Sequence, residues 1–300
     1  MIMLNNLSEM LQFLSEKDAF LASVEYTSGR YSFSTELIEK DYLCSLILKY
    51  LYSNEETPLV FKGGTLLAKV HANFYRLSED LDFSISISNS STRKQRSQKI
   101  DATKKILNAI CEYLPIFKIK KAITGSDESR QYNMELNYKS LLTQKDEKIL
   151  IEIGLRDELI QRPVNAFAKT LLSDPFLRED KVTPFPLACL TLKEAYSEKI
   201  RAALTRKKLA IRDFFDLDYA LKNKIINFKD PLFLDLIYKK IKNEKLSDEL
   251  LRKESVSVLH EKVDGELVPT LRKKEIDNFD LEKVIRQLLK IVSDARVMAK

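Results

Sequence analysis

Tryptophan is absent from this 300-residue chain, and histidine (2), cysteine (3), glycine (6) and proline (8) are all scarce. So little glycine and proline excludes collagen-like, low-complexity and turn-dense all-β architectures. Cys44, Cys111 and Cys189 are odd in number and far apart, with no CxxC pair and no histidine beside any of them. That argues against a disulfide framework and against a structural zinc site. No apolar run reaches the length of a membrane span, and the first residues, MIMLNNLSEM, lack a basic stretch followed by an apolar one. The expectation is a reduced, cytoplasmic protein with no membrane segment.

What is present is an ordinary balance for a protein that buries a sizeable core: 44% hydrophobic and 31% charged residues. The length predicts about two domains. Fifty Lys and Arg against 44 Asp and Glu give a net charge of +6, too small to mark the whole chain as a nucleic-acid binder. The excess lies entirely in 176–300, which carries 27 bases and 21 acids, whereas 1–175 is balanced at 23 of each. Two local runs stand out: 91–121 has nine bases against two acids, and 199–212 has six bases and no acid. Each run is either a solvated face or a contact for phosphates.

Hydrophobic periodicity predicts amphipathic helices over 5–24 and 34–52, the second with Leu43, Leu46, Ile47 and Tyr50 at helical spacing. Pro58 ends that region, and Leu59-Val60-Phe61 reads as a strand. Gly63 and Gly64 interrupt it, and Thr65 is placed to cap a helix running to about Tyr75. From Asp80 the period becomes two: Leu81, Phe83, Ile85 and Ile87 face one way, and Asp80, Asp82, Ser84 and Ser86 the other. A helix to about Leu114 follows, then alternating segments near 131–140 and 148–155. From Pro163 onward the pattern reads as helical, with Thr191-Leu192-Lys193-Glu194 fitting a capping box and further helices over 212–223, 231–251 and 279–299. The fold class expected is α+β: a mixed β-sheet flanked by helices, followed by a C-terminal helical bundle. The domains expected are 1–175 and 176–300, with the boundary between 160 and 190, where the prolines at 163, 175, 184 and 186 cluster.

The stretch FKGGTLLAKVHANFYRLSEDLDFSIS, residues 61–86, carries the chemistry. Gly63 and Gly64 let the backbone approach a ligand closely, and a helix beginning there turns its N–H groups toward an anion. Asp80 and Asp82 project from one strand face, and two carboxylates so close repel each other unless a cation lies between them. Hard divalent cations, chiefly Mg²⁺, suit such a pair and bring substrate phosphates with them. Gly-Gly before a helix is common, and an isolated DxD can be the solvent face of an edge strand. The ordered combination GG-T then R-x-S-x-D-x-D is far more specific, and a glycine-lined phosphate cradle beside a DxD metal clamp is what phosphoryl or nucleotidyl transfer needs.

The run Gly63-Gly64-Thr65 followed by Arg76-Leu77-Ser78-Glu79-Asp80-Leu81-Asp82-Phe83 resembles the first motif of the AbiEii-type toxin nucleotidyltransferases, within the DNA polymerase β-like nucleotidyltransferase superfamily. The resemblance continues through Ile149–Asp157 and again from Thr191 to Asp218, covering most of 60–220. It implies a nucleotidyltransferase fold in which Gly63, Gly64 and Thr65 hold the triphosphate and Asp80 and Asp82 bind Mg²⁺. Glu152 stands where the superfamily often has Asp, so it is a direct ligand, a base or a group behind the ligands; as a bare residue it is a half-exposed strand glutamate. Lys199 interrupts the apolar helix face Leu192, Tyr196, Ala203. Its stem either lies along the core with the charge reaching water, or the charge faces an anion. The resemblance places a functional lysine there, in phosphate contact, and makes Asp213 a further active-site residue, so the C-terminal domain would contribute Lys199 and Asp213 to the cleft. Asp216 is open to a helix–helix ion pair, and Arg76 either orients Asp80 or bridges to Glu79. His71 and His260 read as structural or exposed, and Phe214, Phe215 and Tyr219 as a packed helix.

By the same resemblance the chain would be the toxin of a type IV toxin–antitoxin, or abortive-infection, system. It would transfer NMP from an NTP substrate to an acceptor such as the tRNA 3′ end, with Mg²⁺ as cofactor and an antitoxin encoded nearby as partner. Two other readings remain: transfer to a protein or small-molecule hydroxyl, and a non-catalytic nucleotide- or RNA-binding protein. Neither a GxxxxGK[ST] loop nor an HRD/DFG pair occurs, which disfavours a kinase.

Overall fold

A computed structural model describes residues 2–54, 57–88, 90–155, 159–206, 208–244 and 253–299. The chain divides into two compact units, one of Met1–Leu159 with Pro163–Cys189, the other of Ile160–Arg162 with Leu190–Lys300. The prolines near 175 suggest an earlier boundary, but residues 185–189 form a strand of the first unit's sheet, so that unit continues to Cys189.

The first unit runs α1 (Ile2–Ser15), α2 (Lys17–Tyr31), α3 (Thr35–Tyr52), β1 (Val60–Lys62), α4 (Gly63–Leu66) with a π-helical turn Leu67–His71, and β2 (Leu81–Ser84). Then come α5 (Arg93–Lys99), α6 (Asp101–Asn108), α7 (Ile110–Tyr113), β3 (Phe117–Ser126), β4 (Gln131–Lys139), β5 (Asp146–Gly154), β6 (Val164–Ala168) and β7 (Phe185–Cys189). The seven strands form one sheet in the order β3-β4-β5-β2-β1-β7-β6. It is mixed: β2 is parallel to β5 and β1 to β7, and the other pairs are antiparallel. The expected mixed sheet with helices is therefore the one observed.

Register sorts the side chains. Paired residues point to the same face of a sheet, and successive residues alternate. Phe61, Phe83, Ile153 and Tyr132 form one cross-strand row, and all four are buried. The row one residue away is Lys62, Asp82, Glu152 and Asn133, all half-buried. The Phe61 and Phe83 rings lie 5.5 Å apart, and Tyr52 of α3 reaches Phe83 at 6.4 Å while donating to the carbonyls of Leu59 and Ala188.

α3 departs from its expected amphipathic character: every residue from Ile38 to Tyr52 is buried, Glu39, Lys40, Asp41, Ser45 and Lys49 included. A helix buried on all sides must satisfy its polar groups internally. Glu39 accepts from Ser140 and the Leu141 N–H, both at 2.6 Å, and burial still raises its carboxyl above the usual range. Lys40 meets Glu79 at 2.6 Å. Asp41 pairs at 2.7 Å with Lys69, whose ammonium also donates to Ser45 at 2.7 Å, and Asp41 accepts the Leu171 N–H at 2.9 Å. Lys69 lies in the π-helical turn, so this network ties α3, that turn and residues 169–171 together.

Other expectations shift. The helix over 5–24 is two, broken at Glu16, where the Ser15 hydroxyl donates to the Gln12 carbonyl and ends α1. β3 begins inside a basic run, and its pairing with β4 has register shifts between Ile119 and Lys121 and between Lys121 and Thr124, which destroy the period-two signal. Residues 163–189 read as helical but contain β6 and β7. Pro186 disguises β7, and the strand tolerates it because β7 meets β1 only at Cys189.

The second unit is helical as expected: α8 (Leu192–Thr205), α9 (Ile211–Lys222), α10 (Pro231–Ile241), α11 (Lys253–Lys262), a π turn and a 3₁₀ turn over Val263–Thr270, α12 (Lys273–Ile276) and α13 (Leu281–Met298). α10 stops well before 251, with the Glu244 N–H closing a turn on the Ile241 carbonyl; Leu251 lies outside the described residues. Thr191 caps α8 by accepting the Glu194 N–H at 3.0 Å, but Glu194 does not reach back as a capping box requires. Its carboxylate instead accepts the N–H groups of Ile160 and Gln161 and pairs with Lys240 at 2.6 Å. Burial works against the Lys240 charge, yet Glu198 and Glu194 outweigh it and raise its pKa.

The Lys69–Asp41 pair gives a stability prediction. Lys69→Met leaves a buried carboxylate uncompensated and should cost about 3–5 kcal/mol in urea unfolding. The double variant Lys69→Met, Asp41→Leu should recover much of that loss, whereas equal losses in both would show that the pair is not what holds the turn.

Candidate active site

The site is built where β1 ends and β2 begins. Gly63 follows Lys62 with φ +81°, a backbone conformation that side-chain-bearing residues rarely adopt. The space above its Cα is also taken, since a Cβ there would sit 2.1 Å from Oδ2 of Asp82. The Asp82 carboxylate therefore packs directly on the glycine backbone. At Gly64 a Cβ would meet Nη2 of Arg76 at 2.3 Å and the Ser78 hydroxyl oxygen at 3.2 Å. Thr65 is buried and does not cap the helix as its position suggests: α4 starts at Gly63 itself, and the Thr65 hydroxyl donates to the Asp80 carbonyl at 2.5 Å. That bond fastens the GG-T turn to the start of β2. Arg76 is buried and donates to the Leu77 carbonyl at 3.1 Å, while the Glu79 carboxylate takes Lys40.

Glu152 pairs in register with Asp82, on parallel strands β5 and β2, so both carboxylates lie on the same face of the sheet. Asp80 is half-buried one position before β2 begins. Among the described residues no three His, Cys, Asp or Glu side chains are already gathered as a metal cluster. The donor chemistry nevertheless fits Mg²⁺, which is held by one or two carboxylates plus substrate phosphates rather than by an all-protein cage. Asp82 fits that role, since its side chain makes no hydrogen bond or ion pair among the described residues and Glu152 stands beside it.

In the second unit, Lys199 of α8 is 11% exposed and lies between two carboxylates of α9, Asp213 at 2.7 Å and Asp216 at 2.9 Å. Arg206 meets Asp213 at 3.2 Å. The anions that Lys199 faces within its own unit are thus aspartates, and Asp216 serves a helix–helix ion pair. Phe214 and Phe215 are buried, and Phe215 packs edge-on to Phe279 at 5.6 Å. His260 pairs with Glu282 at 2.7 Å on the surface. Asp157 lies outside the described residues.

A family model described as nucleotidyl transferase AbiEii toxin, type IV TA system, matches residues 47–290. The chain belongs to the AbiEii family. It is accordingly a nucleotidyltransferase of a toxin–antitoxin class. Two solved Helicobacter pylori structures share a similar chain path. One, proposed to be a nucleotidyltransferase, is 18% identical with a TM-score of 0.49, covering 89% of this chain and 96% of its own. The other, JHP933, is 17% identical with a TM-score of 0.48, covering 89% and 93%. No curated protein matches.

One residue escaped the sequence reading altogether. Lys62 stands directly opposite Asp82 in the β1–β2 register, and only that pairing brings it to the site face.

Two predictions follow from these contacts. Gly63→Ala should lose about 1–2 kcal/mol from the backbone conformation alone and displace Asp82, so its melting temperature and its nucleotidyl transfer should both fall; an unchanged enzyme would contradict the packing. Lys199→Met removes the ammonium that Asp213 and Asp216 share and should cost about 3 kcal/mol, which Asp216→Asn should partly restore in the same background.

Proposed function

We propose that this AbiEii-family chain transfers NMP from an NTP to an RNA acceptor such as the tRNA 3′ end, releasing pyrophosphate, as the toxin of a type IV toxin–antitoxin pair. The observation that carries the reading is the Asp82 carboxylate, seated on the bare Gly63 backbone with no hydrogen bond or ion pair among the described residues and in register with Glu152. A carboxylate so placed is suited to a cation shared with phosphate oxygens.

Asp80, Asp82 and Glu152 would hold Mg²⁺, which when bound offsets phosphate charge and polarises the acceptor oxygen. The chain's own residues supply the geometry. Gly63 and Gly64 let Asp82 and Arg76 pack against the turn's backbone, and N–H groups of a helix's first turn lack intrahelical acceptors and point outward. Thr65, through the Asp80 carbonyl, fixes that turn relative to the acidic strand.

Support for an RNA acceptor comes from exposed bases of the first unit: Arg93, Lys94 and Lys99 of α5 and Lys118, Lys120 and Lys121 of edge strand β3, all within one charge run. A tRNA offers dense phosphate to such bases.

Incubation with each labelled NTP, Mg²⁺ and total cell RNA tests the reading. Wild type should label RNA, and Asp80→Ala with Asp82→Ala should reduce labelling by about 10²–10³-fold or more while the unfolding curve stays in place. Full labelling by the double variant would overturn the assignment. RNA affinity should fall steeply with added salt, and a flat response would remove RNA as acceptor.

A further inference from the structure

Lys62 and Asp82 are directly opposed across β1 and β2 on the same face of the sheet. In such pairs the Cβ atoms lie about 4.5–5.5 Å apart, and opposite charges ordinarily join. These two do not. The carboxylate turns toward Gly63, while the Lys62 side chain crosses the sheet in the other direction until its Nζ lies 3.4 Å from where a Cβ of Gly154 would be. Gly154 belongs to β5, pairs with Ser84, and offers no side chain to obstruct the ammonium. Among the described residues the Lys62 side chain makes no hydrogen bond and no ion pair. It is half-buried, so part of its hydration is gone and its three donors are unused.

The row Lys62–Asp82–Glu152–Asn133 therefore holds two carboxylates and one ammonium, with Asp82 and Lys62 turned away from each other. Asp82 and Glu152 by themselves would repel a polyphosphate. An ammonium anchored on the same face offsets that repulsion and can donate to a phosphoryl oxygen in a charge-assisted bond. We propose that Lys62 is a phosphate-binding residue of this site, a role that rests on the nucleotidyl-transfer reading. The phosphoryl oxygen comes either from the triphosphate of the NTP or from the backbone of the acceptor; the chemistry is the same, and the two sources are separable.

The test uses the full chain as wild type, Lys62→Met and Lys62→Arg. The first arm measures the Kd of a non-hydrolysable α,β-methylene NTP with Mg²⁺ by calorimetry. The second measures the KM for the RNA acceptor at saturating NTP, with thermal melts alongside. If the triphosphate is the ligand, Lys62→Met should weaken the analogue about ten- to hundredfold, Lys62→Arg should restore most of the affinity, and the melting temperature should hold. An unchanged analogue Kd with an acceptor KM raised tenfold or more, again rescued by arginine, would support the same role with the acceptor phosphate as source. Unchanged values in both arms, or a loss that follows the melting temperature and is not rescued by arginine, would overturn the proposal. Wild-type protein that binds no analogue would instead defeat the nucleotidyl-transfer reading itself, and the role of Lys62 with it.

Discussion

The antiparallel register of β1 on β2 is the constraint from which the site follows. It sets Lys62 opposite Asp82, so the chain leaving β1 must turn beside the Asp82 side chain. Only a residue without a Cβ and with positive φ can make that turn, and Gly63 is that residue. A shift of one residue in either strand would carry Asp82 to the face now filled by Phe61 and Phe83, where an ionised carboxylate could not be accommodated. The apolar row thus fixes the polar one. The parallel partner β5 extends the same logic, because burying Ile151 and Ile153 obliges Glu152 to stand beside Asp82.

Behind the sheet's first strands, α3 anchors this arrangement from the inside. Its polar residues are joints: Asp41 and Ser45 hold Lys69 of the turn that follows GG-T, Lys40 holds Glu79 just before Asp80, and Glu39 holds residues 140 and 141. Buried ion pairs add little net stability but tolerate few alternative geometries. Here two of the anchored residues, Lys69 and Glu79, fall between Thr65 and Asp80, where small displacements would move the carboxylates. The π-helical geometry of Leu67–His71 is in keeping with this, since such turns often occur at functional sites.

The sequence made the local parts of this site readable and left the non-local parts hidden. Gly63-Gly64-Thr65 and Asp80-Leu81-Asp82 lie within twenty residues, and alternation in β2 and β5 shows which side chains share a face. Lys62 gave no such signal, because its role depends on strand pairing and on the absence of a side chain at Gly154 ninety residues away. The burial of α3 was hidden for the same reason: Glu39, Lys40 and Asp41 look like a solvent face until their partners at 140, 79 and 69 are known. In the second unit the lysine at 199 was conspicuous as a charge in an apolar stripe. Its partners Asp213 and Asp216 became evident only when α9 was laid beside α8. β3, β6 and β7 were lost to bulges, shortness and Pro186, each of which erases period two.

Anomalous diffraction from crystals grown with Mn²⁺ and a non-hydrolysable NTP analogue probes the Gly63–Asp82 arrangement most directly. The metal peak should lie against the carboxylates of Asp82 and Glu152, with phosphate oxygens over the Gly63–Gly64 backbone. Metal and nucleotide bound elsewhere, with Asp82 still seated on Gly63 and ligating nothing, would contradict it.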